Sequence, residues 1–220
     1  MSNTVMGINF DIPWKRLERW SPIGFIVGGA GFLISLALLL VEAMSAVTVP
    51  EIVLSVVVIP SLFALTVFAL PGFYPYVVDA SPRLALIGGV AGFVAGAVMT
   101  FQTVAKTVLH VLGIIGFTED GPVIGLFFLL LFAFFLSVLF YGVASVRSEE
   151  PSRLVGLLLL LIVVEPASAL LNDVVGLDFG IAILYVTLGV AGLALVLIGY
   201  SLRSAATSSG RAESASEMAT

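Results

Sequence analysis

The carboxylate of Glu165 occupies the most demanding position in this 220-residue sequence. It closes the apolar run Leu157–Val164 and is followed at once by Pro166. Counted from Arg153, it lies about 18 Å along a helix, past the midplane of a bilayer. A carboxylate at that depth costs about 2.5–3.5 kcal/mol on insertion scales, so burial favours the neutral acid. Pro166 removes an N–H, frees a carbonyl near Ile162 and adds a kink. Such a group suits a proton- or cation-coupled site. The plainer reading is a carboxyl hydrogen-bonded to a neighbouring helix or reaching water at the outer face. It weighs more, because no second buried charge completes a relay.

Glu42, Gln102, Lys106 and His110 all fall towards the same outer end. Gln102, Lys106 and His110 recur every fourth residue, which places them on one helix face. With Glu42 and Glu165 they form a candidate polar pocket opening outward. The simpler account, in which Glu42 and Lys106 reach the interface from helix ends, is preferred. Phe73, Tyr74, Pro75 and Tyr76 read as an aromatic belt at the inner interface.

Catalytic readings fail on inventory. With one histidine and no cysteine, a zinc or haem site has too few ligands. No serine–histidine spacing, HExxH motif or phosphate-cradling loop is present. Basic residues form no stripe beyond those that flank apolar runs, so nucleic acid is not an expected partner. The chain is read as a non-enzyme that needs no cofactor and no metal.

The elements that position these residues follow from composition. Hydrophobic residues make up 60% of the chain, charged residues 10%, and mean hydropathy is +1.20. Soluble domains carry about a quarter charged residues, so the solvent for most of this chain is lipid. Apolar runs at 22–46, 52–77, 83–105, 121–146, 153–172 and 179–202 are each long enough to span a membrane. Val49-Pro50-Glu51, Asp79-Ala80-Ser81-Pro82, Glu119-Asp120-Gly121-Pro122 and Glu149-Glu150-Pro151 break them with turn chemistry. Pro60 should bend the second run. Residues 106–117 read as an interfacial or re-entrant piece. The fold class is all-α: a polytopic transmembrane helical bundle with domain limits 22–203. Residues 1–21 form a polar cytoplasmic segment leading into the apolar run 22–46, read as a retained first span, and 204–220 a disordered cytoplasmic tail.

Orientation comes from counting basic residues on alternate sides of six spans. Lys15, Arg16, Arg19, Arg83, Arg147, Arg153, Arg203 and Arg211 fall on one side, and Lys106 alone on the other. The positive-inside rule puts both termini in the cytoplasm, in a multi-pass protein of the cell membrane. Glu42, Glu51, Glu119, Asp120, Asp173 and Asp178 make the outer face acidic.

The chain also carries signs of duplication. At a gapless offset of 60, Ser21-Pro22 matches Ser81-Pro82, Gly28-Gly29 matches Gly88-Gly89, and Ala37 matches Ala97. Ser145-Val146-Arg147-Ser148 and Ser201-Leu202-Arg203-Ser204 close the fourth and sixth runs alike. These matches suggest three helical hairpins of one type. Two-helix hairpins repeat in parallel, unlike the inverted repeats of many transporters. Gly24 and Gly28, with Gly88, Gly92 and Gly96, should let the first and third spans pack closely or form a dimer face.

The acidic, cysteine-free composition, with Lys15 and Lys106 its only lysines, resembles that of multi-pass membrane proteins of halophilic archaea. No motif resembles a characterised family. The expected function is a non-catalytic structural, accessory or sensory membrane component. The alternative is a small proton- or cation-coupled transporter or channel using Glu165. Expected partners are the lipid bilayer and a membrane protein or a second copy of the chain.

Overall fold

The computed structural model describes residues 11–45, 48–113, 124–147, 153–163 and 180–217. Among these residues every regular element is a helix. Lipid offers the backbone no hydrogen-bonding partner, so a spanning segment must satisfy its own N–H and C=O groups, and a helix does so. The elements are α1 (Asp11–Met44), α2 (Glu51–Phe63), a π-helical segment (Ala64–Ala69), α3 (Leu70–Val77), α4 (Pro82–Val111), α5 (Ile124–Arg147), α6 (Arg153–Val163) and α7 (Gly180–Glu217). Five stretches are long and apolar enough to cross a membrane: Leu17–Met44, Ile52–Val77, Pro82–Leu109, Gly125–Arg147 and Tyr185–Ala205. This is the architecture of an integral membrane protein. The shorter apolar helix α6 begins the fifth run expected from the sequence, whose remainder lies outside the described residues.

Two boundaries differ from expectation. Lys106 to Val111 is no separate interfacial piece but the last turns of α4, continuous through Thr107, whose hydroxyl donates to the Thr103 carbonyl at 2.8 Å. The chain turns only at Gly113, with φ of +67°, a left-handed conformation that glycine adopts without steric cost. At the other end, α7 runs on to Glu217, past Ser204 where the sequence reading begins a disordered tail. Extending a formed helix needs no new nucleus, and the Ala, Arg and Glu of this stretch favour propagation.

The second span is irregular for a stated reason. It contains Pro60, Pro71 and Pro75. Pro60 sits inside α2, and the register change comes one turn later, over Ala64–Ala69, where the Leu70 N–H donates to the Leu65 carbonyl, five residues back. The wider turn gives room to the ring of Pro71, which in α register would press on the Val67 carbonyl. In π register the donor for the Thr66 carbonyl would be residue 71, a proline with no N–H.

Packing follows chain order. α1 lies against the second span, the second span against α4, and α4 against α5, while α7 returns to α1. α6 rests on α5 through Gly142 and Gly156, where added β-carbons would meet Leu160 at 2.9 Å and the Val146 backbone at 2.6 Å. The core centres on Phe73, fully buried, with ring centroids 5.8 Å from Phe25 of α1 and 5.2 Å from Tyr141 of α5. The aromatic run at 73–76 is thus part of the core rather than an interfacial belt. Leu70, Phe73 and Val77 recur at helical spacing on one fully buried face, and Tyr74 and Tyr76 pack against the same cluster.

Glycine sets how closely these helices approach. A β-carbon at Gly24 would lie 2.8 Å from the Ala64 carbonyl oxygen, and one at Gly199 would lie 2.5 Å from that of Pro22. Neither backbone can move away without opening the interface. Gly24→Ala and Gly199→Ala are each expected to lower stability by about 1–3 kcal/mol, read as a lower unfolding midpoint in detergent. Gly125→Ala, whose β-carbon would meet nothing within 4 Å, should leave the midpoint unchanged.

Candidate intramembrane polar site

Among the described residues expected to form an outward polar pocket, Gln102 is the one placed in the interior. It is 8% exposed, in the C-terminal part of α4, and its Oε1 has no hydrogen-bond partner. Lys106 lies one turn further along the same face and is half-buried. Glu42 is half-buried on the last turns of α1. α1 and α4 approach the second span on different faces, α1 at Ala64 and Leu65, and α4 at Thr66 and Leu70. His110 falls in the last turn of α4, and its side chain is outside the described set. Glu165 with Pro166 lies outside the described residues altogether.

A buried carboxamide oxygen in an apolar span accepts but cannot donate, so it suits a proton donor or a cation. Left unmatched, such an acceptor costs about 1–3 kcal/mol. Among the described residues, no group of three or more His, Asp and Glu is placed to hold a metal ion.

The sequence reading passed over a second set of interior polar groups. Ser35, Ser61 and Thr66 donate to carbonyls one turn earlier on their own helices, at 2.8, 2.6 and 2.7 Å. This satisfies a hydroxyl in lipid without any partner helix. Two others reach across interfaces. Ser21 of α1 donates to the Ala69 carbonyl at 2.9 Å, and Ser137 of α5 donates to the Gly88 carbonyl at 2.8 Å. In both cases a short side chain meets a backbone that glycine or a helix irregularity has brought close. Ser and Thr at apolar helix faces were the available signal, but sequence does not show which carbonyl lies opposite.

Tyr141 closes this layer. Its ring is fully buried and seated where Gly88 leaves space, a β-carbon there falling 2.8 Å from the ring. Its hydroxyl has no hydrogen-bond partner. Gly89 opens a neighbouring space for Tyr74, whose ring lies 3.0 Å from the corresponding β-carbon position. Gly92 admits Leu70 and the Ser137 hydroxyl, and Gly96 lies against the Thr66 carbonyl, its β-carbon position 2.7 Å from that oxygen. Gly28 admits the Leu65 side chain. The glycines of α7 were not singled out from sequence. Gly192 and Gly29 face each other, each β-carbon position falling 3.1 and 2.6 Å from the other's carbonyl oxygen.

Comparison with protein families, with curated proteins and with solved structures gives no match. The architecture defines the class, an integral membrane protein, and the site's geometry alone bears on what it does.

The two cross-helix features make opposite demands on stability. Ser137→Ala removes a buried bond between α4 and α5 and should cost about 0.5–1.5 kcal/mol. Tyr141→Phe removes only an unmatched hydroxyl and keeps the ring. It is expected to leave the unfolding midpoint in detergent unchanged or to raise it.

Proposed function

We propose that this chain is a six-span, non-catalytic component of the cell membrane, structural, accessory or sensory, with both termini in the cytoplasm. The observation that carries this reading is the close packing at the centre of the described helices. Phe25, Phe73 and Tyr141 pack edge to face through the centre of the described bundle, and glycine contacts bring α1 and α4 onto the second span. A bundle braced in this way is suited to hold one shape and present it to a partner in the membrane. That partner is a second membrane protein or a second copy of the chain.

Six spans are supported by α6, an apolar helix packed on α5 and preceding α7. The orientation rests on the eight-to-one distribution of basic residues in the sequence. Three hairpins of one type gain support from the paired glycines. Gly28 and Gly88 each meet the span that follows, at Leu65 and Tyr141. Gly29 and Gly89 each meet the other flanking span, at Gly192 and Tyr74.

One observation favours the second reading, a small proton- or cation-coupled transporter using Glu165. Gln102 carries an unmatched acceptor inside a span, which is the kind of group a permeating proton donor or cation would use.

The chain has no cysteine, so single introduced thiols report topology directly. Ser208→Cys is expected to resist an impermeant maleimide in intact cells and to react after lysis, whereas Thr118→Cys reacts in intact cells. The reverse pattern would refute the orientation. Liposomes holding the purified protein are expected to show no proton or cation flux above protein-free liposomes. Glu165→Gln should leave co-purification with any partner intact. Flux that disappears in Glu165→Gln would overturn the non-catalytic component reading in favour of the transporter.

A further inference from the structure

A groove of about 410 Å³ runs along the outer surface between α4 and α5. Ile87, Val90 and Val94 form one wall and Leu129, Phe132 and Leu136 the other, with Ala91 and Ala133 as its floor. Every residue lining it is a hydrocarbon. The two small floor residues make the depression, while the walls stay open: Val90 is 57% exposed and Phe132 66%.

The groove has a charged end. α4 and α5 run antiparallel, as the contacts of Gly88 with Tyr141 and of Gly92 with Ser137 require. Arg83 opens α4 and Arg147 closes α5, so both stand at the same end of the pair, and both are exposed. Each also lies on the groove face of its own helix. Arg83 precedes Ile87, Val90 and Val94 by about one, two and three turns, and Arg147 follows Leu136 and Leu129 by about three and five. Positive charge at this end is expected of any span that terminates there. Its placement on the groove stripe of both helices is not.

We propose that this groove is a binding site for one anionic phospholipid. A hydrocarbon chain lies between α4 and α5 over the floor of Ala91 and Ala133. The phosphate of the headgroup is held at the membrane surface by the guanidinium groups of Arg83 and Arg147. The chemistry is complementary at both ends: an apolar trough about 12 Å long fits a chain segment, and two arginines suit a phosphate, which they bind with paired N–H donors. Basic sites between spans on the positive side of a membrane recognise lipid headgroups by the same arrangement. The proposal does not depend on the function of the bundle, because it uses only the α4–α5 surface.

The test is native mass spectrometry of the full chain in detergent, with phosphatidylglycerol or phosphatidylcholine added. The expected result is one tightly held phosphatidylglycerol and weaker phosphatidylcholine. Arg83→Gln with Arg147→Gln should weaken phosphatidylglycerol about 25-fold, at about one basic contact's worth per arginine, and leave phosphatidylcholine unchanged. Val90→Trp, which fills the groove from an exposed position, should abolish retention of both lipids. Arg153→Gln with Arg203→Gln, at exposed positions off the groove, should change neither. Equal binding of the two lipids overturns the proposal, as does a loss as large in the Arg153/Arg203 pair as in Arg83/Arg147. Unchanged binding in Val90→Trp overturns it too. So does a dimer that Val90→Trp dissociates, which would make the occupant a second copy.

Discussion

A span with three prolines has to live in a solvent that gives the backbone nothing to bond to, and the helices beside it are shaped around that constraint. Pro60, Pro71 and Pro75 remove donors from the second span, and the π segment over Ala64–Ala69 absorbs the register error before Pro71. Carbonyls along this segment are then met from both sides. Ser21 donates to Ala69, Gly24 brings its α-carbon against Ala64, and Gly96 does the same at Thr66. Contacts of α-carbon hydrogens with carbonyl oxygens are weak singly, about 0.5–1 kcal/mol. Here they fall on carbonyls next to a proline-distorted register, where water is not present to compete.

Close approach also decides where the aromatic side chains go. Glycines at 24, 28, 92 and 96 bring α1 and α4 onto the second span, leaving pockets sized for Leu65 and Leu70, while Gly88 leaves one on the α5 side for Tyr141. Phe73 then fills the centre between α1 and α5. Interhelical association in lipid has no hydrophobic driving force of its own, so this fitting of shape, with the hydroxyl bonds of Ser21 and Ser137, supplies the specificity. The α1–α7 contact through Gly29, Gly192 and Gly199 uses the same device and ties the last span to the first. On the outside, where lipid replaces protein, α4 and α5 show the opposite face: Val90, Phe93, Phe101, Phe128 and Phe132 are all strongly exposed. The floor of small residues beneath that face is what turns a smooth helix pair into a groove.

Local information in the chain carried a good deal. Apolar runs of spanning length, bounded by proline and acidic turns, placed the starts of the second, third and fourth spanning stretches within a few residues of Ile52, Pro82 and Gly125, because a segment in lipid must be helical and about 20 residues long. It read the wrong state at Lys106–Val111 and beyond Ser204, since helix propagation depends on a nucleus already formed next door rather than on local polarity. The Phe73–Tyr76 run misled for a different reason. Aromatic residues near a span end have the same composition whether they face headgroups or a core, and the difference lies in helix phase.

For the polar site, residue type and spacing alone showed that Gln102 and Lys106 share a face, a property of one helix. Composition likewise pointed to the membrane class, because it sums over the chain and needs no partner. Which carbonyl Ser21 or Ser137 would meet, which glycine would admit Tyr141, and that Gln102 would be buried with an unmatched oxygen were decided only by tertiary structure. Those are relations between helices far apart in the chain. They depend on crossing points and rotations that apolar sequence specifies only weakly, since in lipid every face of a leucine-rich helix is equally well solvated until another backbone comes close enough to choose one.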